Sequence, residues 1–409
     1  MTRRYVVPGR VELVGKHVDY AGGRSLTCAV DLALHVRADP LSEPVIHVRS
    51  SPQRGLVVMP LDASASRQRV SWSEYVAAVA RRFARDFPHF RVGVDIEIRS
   101  DLPASAGLSS SSALVVAVAS ALADVNNAAQ DRAWNDAILT DLVRAEYFAA
   151  IETGSPFGDF AGDAGVGVRG GAQDPIAIIA ANADAVTQFS YLPARLERRV
   201  DWPSDYVLAI GVSGVHSTKT GNSRDQYNRA ADAMRSLATE WNVITGRRDE
   251  TIADALASSS DAGERLALVA RNLATASGDD YLVTRLAQFR EESEIIVPSV
   301  GDALRDRNFD ALGSLVDRSQ ALAEQMLNNQ VAETIALAHS ARELGAVAAS
   351  AFGAGFGGSV WAIVQSTNAD VFIAAWRNRY AAEFPNRMAS ARWLVTRPSN
   401  PFRVSSEQT

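Results

Sequence analysis

A mixed α and β chain of two domains is predicted by two kinds of apolar run that alternate along the sequence, and by its length. Short β-branched runs bounded by turn formers read as strands, and longer stretches with apolar residues recurring at three and four read as helices. The third observation is size: 409 residues, 47% hydrophobic and 22% charged, fit two domains with a sizeable core. In order, the strand-like runs are Tyr5–Val7, Val45–Arg49, Val92–Ile98, Ile176–Ile179, Tyr206–Val212 and Val360–Val364. Helical spacing covers Glu74–Phe87, Ser111–Val125, Thr140–Ile151, Asp225–Trp241, Gly263–Ala274, Asp302–Gln325 and Val331–Leu344. The segment Ala181–Ser204, with Pro193 and Pro203, is the best boundary, so domains of residues 1–190 and 191–409 are expected.

Charge and cysteine usage narrow the partners. A formal net charge of -6 with no long Lys/Arg block argues against nucleic acid and anionic membranes, leaving small molecules. The longest apolar run, around Leu114–Leu122, is far short of the roughly 20 residues of a membrane span. Cys28 is the one cysteine, which excludes an intrachain disulfide and suits a reducing compartment. No signal-peptide stretch follows Met1, so a cytoplasmic location is expected.

Three small-residue segments carry the chemistry. Residues 103–113, Pro-Ala-Ser-Ala-Gly-Leu-Ser-Ser-Ser-Ser-Ala, open directly into an apolar helix, so backbone N–H groups and the helix dipole can meet an anion there. A serine-rich N-cap without a ligand is the plainer alternative. The segment Pro8–Gly23 sets Arg10, Lys16, His17 and Asp19 within ten positions, which suits a polyol or phosphate site or an ordinary polar turn. Gly353–Ser359, with Gly355 inside it, bends the chain tightly before a strand resumes.

In order and separation, these segments resemble the three signature motifs of the GHMP kinase superfamily, most closely its galactokinase branch. Ser71-Trp72-Ser73-Glu74-Tyr75 and the stretch Asp302–Gln325 extend the likeness across residues 5 to about 365. The resemblance implies an α+β fold of two domains, the N-terminal one like ribosomal protein S5 domain 2 and the C-terminal one ferredoxin-like. It places the active site between them, with ATP and Mg²⁺ as co-substrate and cofactor and a monosaccharide such as galactose as acceptor, phosphorylated at its anomeric hydroxyl.

The resemblance also assigns residues. Gly107, Leu108, Ser109, Ser110, Ser111 and Ser112 would hold the phosphates, with Trp72 and Tyr75 near the base. Ser110 matches the metal-binding serine. Asp163, eleven residues before Asp174, has the separation of metal ligand and base in mevalonate-kinase-like relatives, and Asp159 is an equally acidic neighbour. Asp174 matches the catalytic aspartate and Arg10 the arginine that assists it. His17, Asp19, Gly355 and Tyr227 fall at the sugar site. Tyr227 follows a polar segment, Ser213–Ser223, that carries His216 and Lys219.

Two places depart from the pattern: Arg169-Gly170-Gly171-Ala172-Gln173-Asp174 differs from the galactokinase Gly-Ile-Met-Asp-Gln, and the first motif differs at one residue. Galactokinases carry Gly-Glu-His-x-Asp-Tyr, and this chain has Gly15-Lys16-His17-Val18-Asp19-Tyr20, an ammonium where an acceptor of a far-end sugar hydroxyl is expected. A uronic acid, whose carboxylate would pair with Lys16, is therefore an alternative substrate. An inactive sugar- and ATP-binding regulator is a second alternative, opposed by the retained Gly107–Ser111 loop.

Overall fold

The computed structural model describes residues 1–51, 55–66, 68, 72–103, 106–215 and 222–405. Its strands are β1 (Arg3–Val14), β2 (Arg24–Leu41), β3 (Val45–Ser51), β4 (Leu56–Pro60), β5 (Gly93–Ser100), β6 (Ala185–Ser190), β7 (Arg195–Asp201), β8 (Tyr206–Val212), β9 (Ala348–Phe352), β10 (Ser359–Gln365), β11 (Arg392–Thr396) and β12 (Arg403–Val404). The helices are α1 (Ser73–Asp86), α2 (Ser110–Val125), α3 (Arg132–Ala137), α4 (Asp141–Thr153), α5 (Gln173–Ala180), α6 (Asn222–Thr245), α7 (Ile252–Ala257), α8 (Ala262–Ser277), α9 (Tyr281–Arg290), α10 (Val297–Arg305), α11 (Phe309–Leu322), α12 (Ala332–Glu343) and α13 (Ala369–Glu383). Among the described residues no helix is long and apolar enough to cross a membrane.

Eight strands form the first sheet in the order β12-β1-β2-β5-β3-β4, with β6 and β7 joined through β2. The expected division at residue 190 therefore falls between two paired strands of one sheet, and the C-terminal β12 returns to its edge. Helix α2 lies at the centre of this unit, against β1, β2 and β5 on one side and α1, α4 and α5 on the other. Its residues Ser112–Ala123 are buried all round, as expected of a helix whose sequence is apolar on every face. Helix α4 starts where Thr140 accepts a hydrogen bond from the Val143 N–H and stops at Gly154, whose φ of 77° ends the helix in the left-handed region.

The expected strand Ile176–Ile179 is instead part of α5. A four-residue apolar run has no period to separate a buried strand from a buried helix. Pro175, whose φ suits a helix's first turn, and packing against α4, β1 and β2 decide for the helix. The expected helix Asp302–Gln325 is interrupted at Asp306–Asn308, where Arg307 has a φ of 52°.

The second sheet has the order β11-β8-β10-β9 and is entirely antiparallel. Helices α6 to α9 form a separate apolar cluster around Leu237, Trp241, Leu266 and Phe289. Val18 and Ala21, from the turn after β1, are buried in that cluster. The motif holding His17 and Asp19 is thus anchored from behind by helices far away in sequence.

Candidate active site

A cleft of about 330 Å³ opens where the two sheets and α6 meet. Its walls come from β1, the N-terminal ends of α2 and α5, the turn between β9 and β10, and Tyr227 of α6. Two helix N-termini thus converge on one space, and both favour negative charge.

Asp174 stands in the first turn of α5, with its carboxylate tied on both sides. Arg10 Nε donates to Oδ1 at 2.6 Å and Ser109 Oγ to Oδ2 at 2.5 Å. Arg10 is buried and also donates from Nη1 to Gly107 O at 2.6 Å. The guanidinium therefore fixes the serine-rich loop and the aspartate relative to each other. Ser109 has a φ of 59° as the residue that opens α2, which turns the loop sharply into the helix.

Gly107, Ser109, Ser110, Ser111 and Ser112 all line the cleft. Leu108 does not: its side chain is buried in the core, and its carbonyl accepts from Arg10 N at 3.2 Å. Residues 104 and 105 of this loop lie outside the described residues. Trp72 and Tyr75 line the cleft beside Leu34, Ile98 and Leu102, an apolar wall suited to a base.

The carboxylate brought to the serine loop is Glu152, not Asp163. Glu152 lines the cleft at the end of α4 and accepts from Ser112 Oγ at 2.8 Å. Asp163 is turned away: Oδ1 accepts from Gly165 N at 2.9 Å, and Oδ2 lies 3.6 Å from Arg81 Nε. Asp159 does not line the cleft either. Glu152 stands twenty-two residues before Asp174, with an irregular segment between α4 and α5, so an eleven-residue spacing could not find it. The available signal was an acidic residue in the last turn of a helix ending at a glycine. Glu152 and the loop hydroxyls are hard oxygen donors that fit Mg²⁺, which commonly takes one or two carboxylates and completes its shell with phosphate oxygens and water.

At the other end, Asp19 and Gly171 are in such close contact that a Cβ at Gly171 would collide with the Asp19 carboxylate. Asp19 Oδ2 accepts from Gln173 N at 3.2 Å. Burial pushes the Asp19 carboxyl up to about 6, against the backbone donor at Gln173. His17, with a φ of 58°, uses both ring nitrogens: Nε2–H donates to Ala354 O at 3.2 Å, which leaves Nδ1 to accept from the Tyr20 hydroxyl at 3.1 Å. Burial, reinforced by the Arg285 charge, pushes His17 down to about 4, so its ring is neutral near pH 7. The Tyr227 ring stands 5.0 Å from the His17 ring, and both line the cleft. Gly353 and Ala354 also face it, whereas Gly355 packs behind, where a Cβ would collide with Asn329 O. His216 and Lys219 lie outside the described residues.

Lys16 is not among the residues that line the cleft. Its ammonium donates to Ser319 Oγ at 2.8 Å, and that hydroxyl donates to Glu292 Oε1 at 2.9 Å. The backbone N–H groups of Gly15 and Lys16 donate to the same Glu292 oxygen at 2.7 and 3.1 Å. All three side chains are buried. Glu292 comes from the π-helical turn Glu291–Ile296 that joins α9 to α10. The uronic acid alternative therefore loses the residue on which it rested.

Sequence reasoning also missed Glu12, a buried carboxylate that lines the cleft and accepts from the Gln173 side chain. Burial, only partly opposed by Lys16 and Arg10, pushes this carboxyl up to about 7. A carboxyl raised above its unfolded value favours folding at low pH and loses that contribution as pH rises through the folded value. Glu12→Gln should therefore gain on the parent between about pH 5 and about pH 8 by on the order of 2–3 kcal/mol. Urea unfolding of both proteins at the two pH values measures the difference; a gap that does not move with pH would contradict it.

Known proteins share this fold. The family description "GHMP kinases N terminal domain" matches residues 74–182 and "GHMP kinases C terminal" matches residues 302–382. The "Galactokinase galactose-binding signature" matches residues 3–40. A galactokinase of Chloroflexus aurantiacus is 28% identical over 390 residues, covering 93% of this chain and 88% of that protein. One of Lacticaseibacillus paracasei is 25% identical over 381 residues, covering 90% and 87%. Among solved structures, Lactococcus lactis galactokinase complexed with galactose aligns with a TM-score of 0.77 at 20% identity, covering 98% of this chain and 95% of that one. L. major mevalonate kinase aligns at 0.58 and 14% identity, covering 97% and 96%. With matches in its first motif and in both halves, and with relatives that run nearly its whole length, the chain belongs to the GHMP kinases, on their galactokinase side.

Proposed function

We propose that this protein is an ATP-dependent sugar kinase that transfers the γ-phosphoryl group of ATP to the anomeric hydroxyl of galactose. The observation that carries the reading is Asp174, a carboxylate held between Arg10 and Ser109 where the phosphate loop meets the sugar end of the cleft. Phosphoryl transfer requires the acceptor hydroxyl to be aligned and its proton to have a destination. Asp174 accepts that proton. Arg10 keeps its charge at all relevant pH values and stabilises the oxygen as it becomes negative. The N–H groups at the start of α2 and the hydroxyls of Ser109–Ser112 cradle the phosphates, while Trp72 and Tyr75 flank the base. Asp19, His17 and Tyr227 receive the sugar, with neutral His17 setting the loop's shape through its two hydrogen bonds.

When bound, Mg²⁺ supplies charge neutralisation to the triphosphate, and Glu152 with Ser112 and Ser110 would hold it. Glu152→Gln is expected to raise the Mg²⁺ concentration for half-maximal rate by about ten-fold or more, since one carboxylate ligand becomes neutral. A Mg²⁺ titration of ADP release measures this, and an unchanged midpoint would remove Glu152 from the metal site. We place the boundary between the two domains after Asp201, the end of β7, with β12 returning later to the first sheet, and the site of action in the cytoplasm, where ATP is supplied.

The deciding experiment couples ADP release to an optical readout with ATP, Mg²⁺ and a panel of hexoses and uronic acids. Galactose should turn over best. ATP binding without turnover of any sugar would favour the regulator, against which the intact Arg10–Asp174 pair stands.

A further inference from the structure

We propose that Glu12 is a specificity-determining residue of this cleft, accepting a hydrogen bond from a sugar hydroxyl at its second carboxylate oxygen, Oε1. Glu12 follows Arg10 by two residues on β1, so both side chains leave the same face of the strand. The strand is pinned there by Trp361, whose Nε1 donates to Glu12 O at 3.0 Å. Gln173, the residue before Asp174, gives its side-chain amide to Glu12 Oε2 and its backbone N–H to Asp19 Oδ2. Glu12 is thus joined through Gln173 both to Asp19 and to the turn that carries Asp174.

Its Oε1 is buried with no hydrogen-bond partner, and among the described residues no other cleft side chain has such an atom. Both Asp174 oxygens accept hydrogen bonds, from Arg10 and Ser109, and Glu152 Oε2 accepts from Ser112. An unpaired buried acceptor costs about 1–3 kcal/mol, more when charged, and a ligand hydroxyl that supplies the missing donor removes that cost. Lys16 sharpens the assignment. Position 16 is a cation directed to Ser319, so it offers the sugar no acceptor. Glu12, on the same strand and turn, offers one.

This inference rests on the sugar-kinase reading above, and its test separates the two. Steady-state kinetics are measured for the parent and Glu12→Gln with galactose and with galactose analogues that each lack one hydroxyl. Glu12→Gln should raise the galactose KM by about ten-fold or more, with kcat and the ATP KM within about three-fold. One analogue should show the same penalty with the parent enzyme and no further penalty with the variant, which identifies the hydroxyl held. An unchanged galactose KM, or an equal penalty on every analogue, overturns the proposal. Glu12→Asp, which keeps the charge and withdraws it by one methylene, serves if the glutamine variant does not fold and should show the same analogue-dependent pattern. If the parent turns over no sugar, the kinase reading fails. Calorimetric galactose affinity of parent and variant then decides the contact alone, and equal affinity overturns it.

Discussion

Asp174→Asn is expected to lower kcat by about 10²- to 10⁴-fold while leaving the KM values for ATP and sugar within a few-fold. The substitution is nearly isosteric. Its carbonyl oxygen still accepts from Arg10 or Ser109, so the phosphate loop and α5 stay in register. What disappears is an oxygen able to take the acceptor's proton and a negative charge beside Arg10. Single-turnover measurements with saturating ATP and sugar separate this loss from binding. Full activity in the variant would remove Asp174 as the base and leave transfer to positioning and charge stabilisation alone.

The second large effect concerns stability. Lys16→Glu restores the residue found in galactokinases, yet it should destabilise this protein by about 3–5 kcal/mol. Lys16 is a buried cation that lowers the Glu12 carboxyl and reaches Glu292 through Ser319. A glutamate there places a third carboxylate beside two, with no ammonium to offset them. Adding Glu292→Gln to Lys16→Glu should recover a large part of the loss, a coupling that urea unfolding of the single and double variants measures. A Lys16→Glu protein as stable as the parent would refute the arrangement. Because Lys16 does not line the cleft, the surviving activity should show no shift between neutral and acidic sugars.

Much of the fold was legible because its signals are local. The serine loop followed by an all-apolar helix announced α2, and the apolar spacing of Thr140–Ile151 announced α4. Ile176–Ile179 was misread because four buried residues carry no period, and the packing that chooses a helix is contributed by α4, β1 and β2. β12 could not be foreseen at all, since two residues near the C-terminus find their partner at Tyr5 and Val6. In the site, motifs contiguous in sequence placed Arg10, Asp19 and Asp174 together. Glu152 escaped because the loop between α4 and α5 breaks the expected spacing. The direction of Lys16 depended on Glu292 and Ser319, more than 270 residues downstream, which no local pattern encodes.

The buried Lys16–Ser319–Glu292 chain constrains how such a site can change over generations. Reversing the charge at position 16 by a single step traverses a protein several kcal/mol less stable, a large part of the margin of a typical domain. A lineage crossing between the two states must first acquire a neutral residue at 12 or 292, or hold surplus stability from elsewhere.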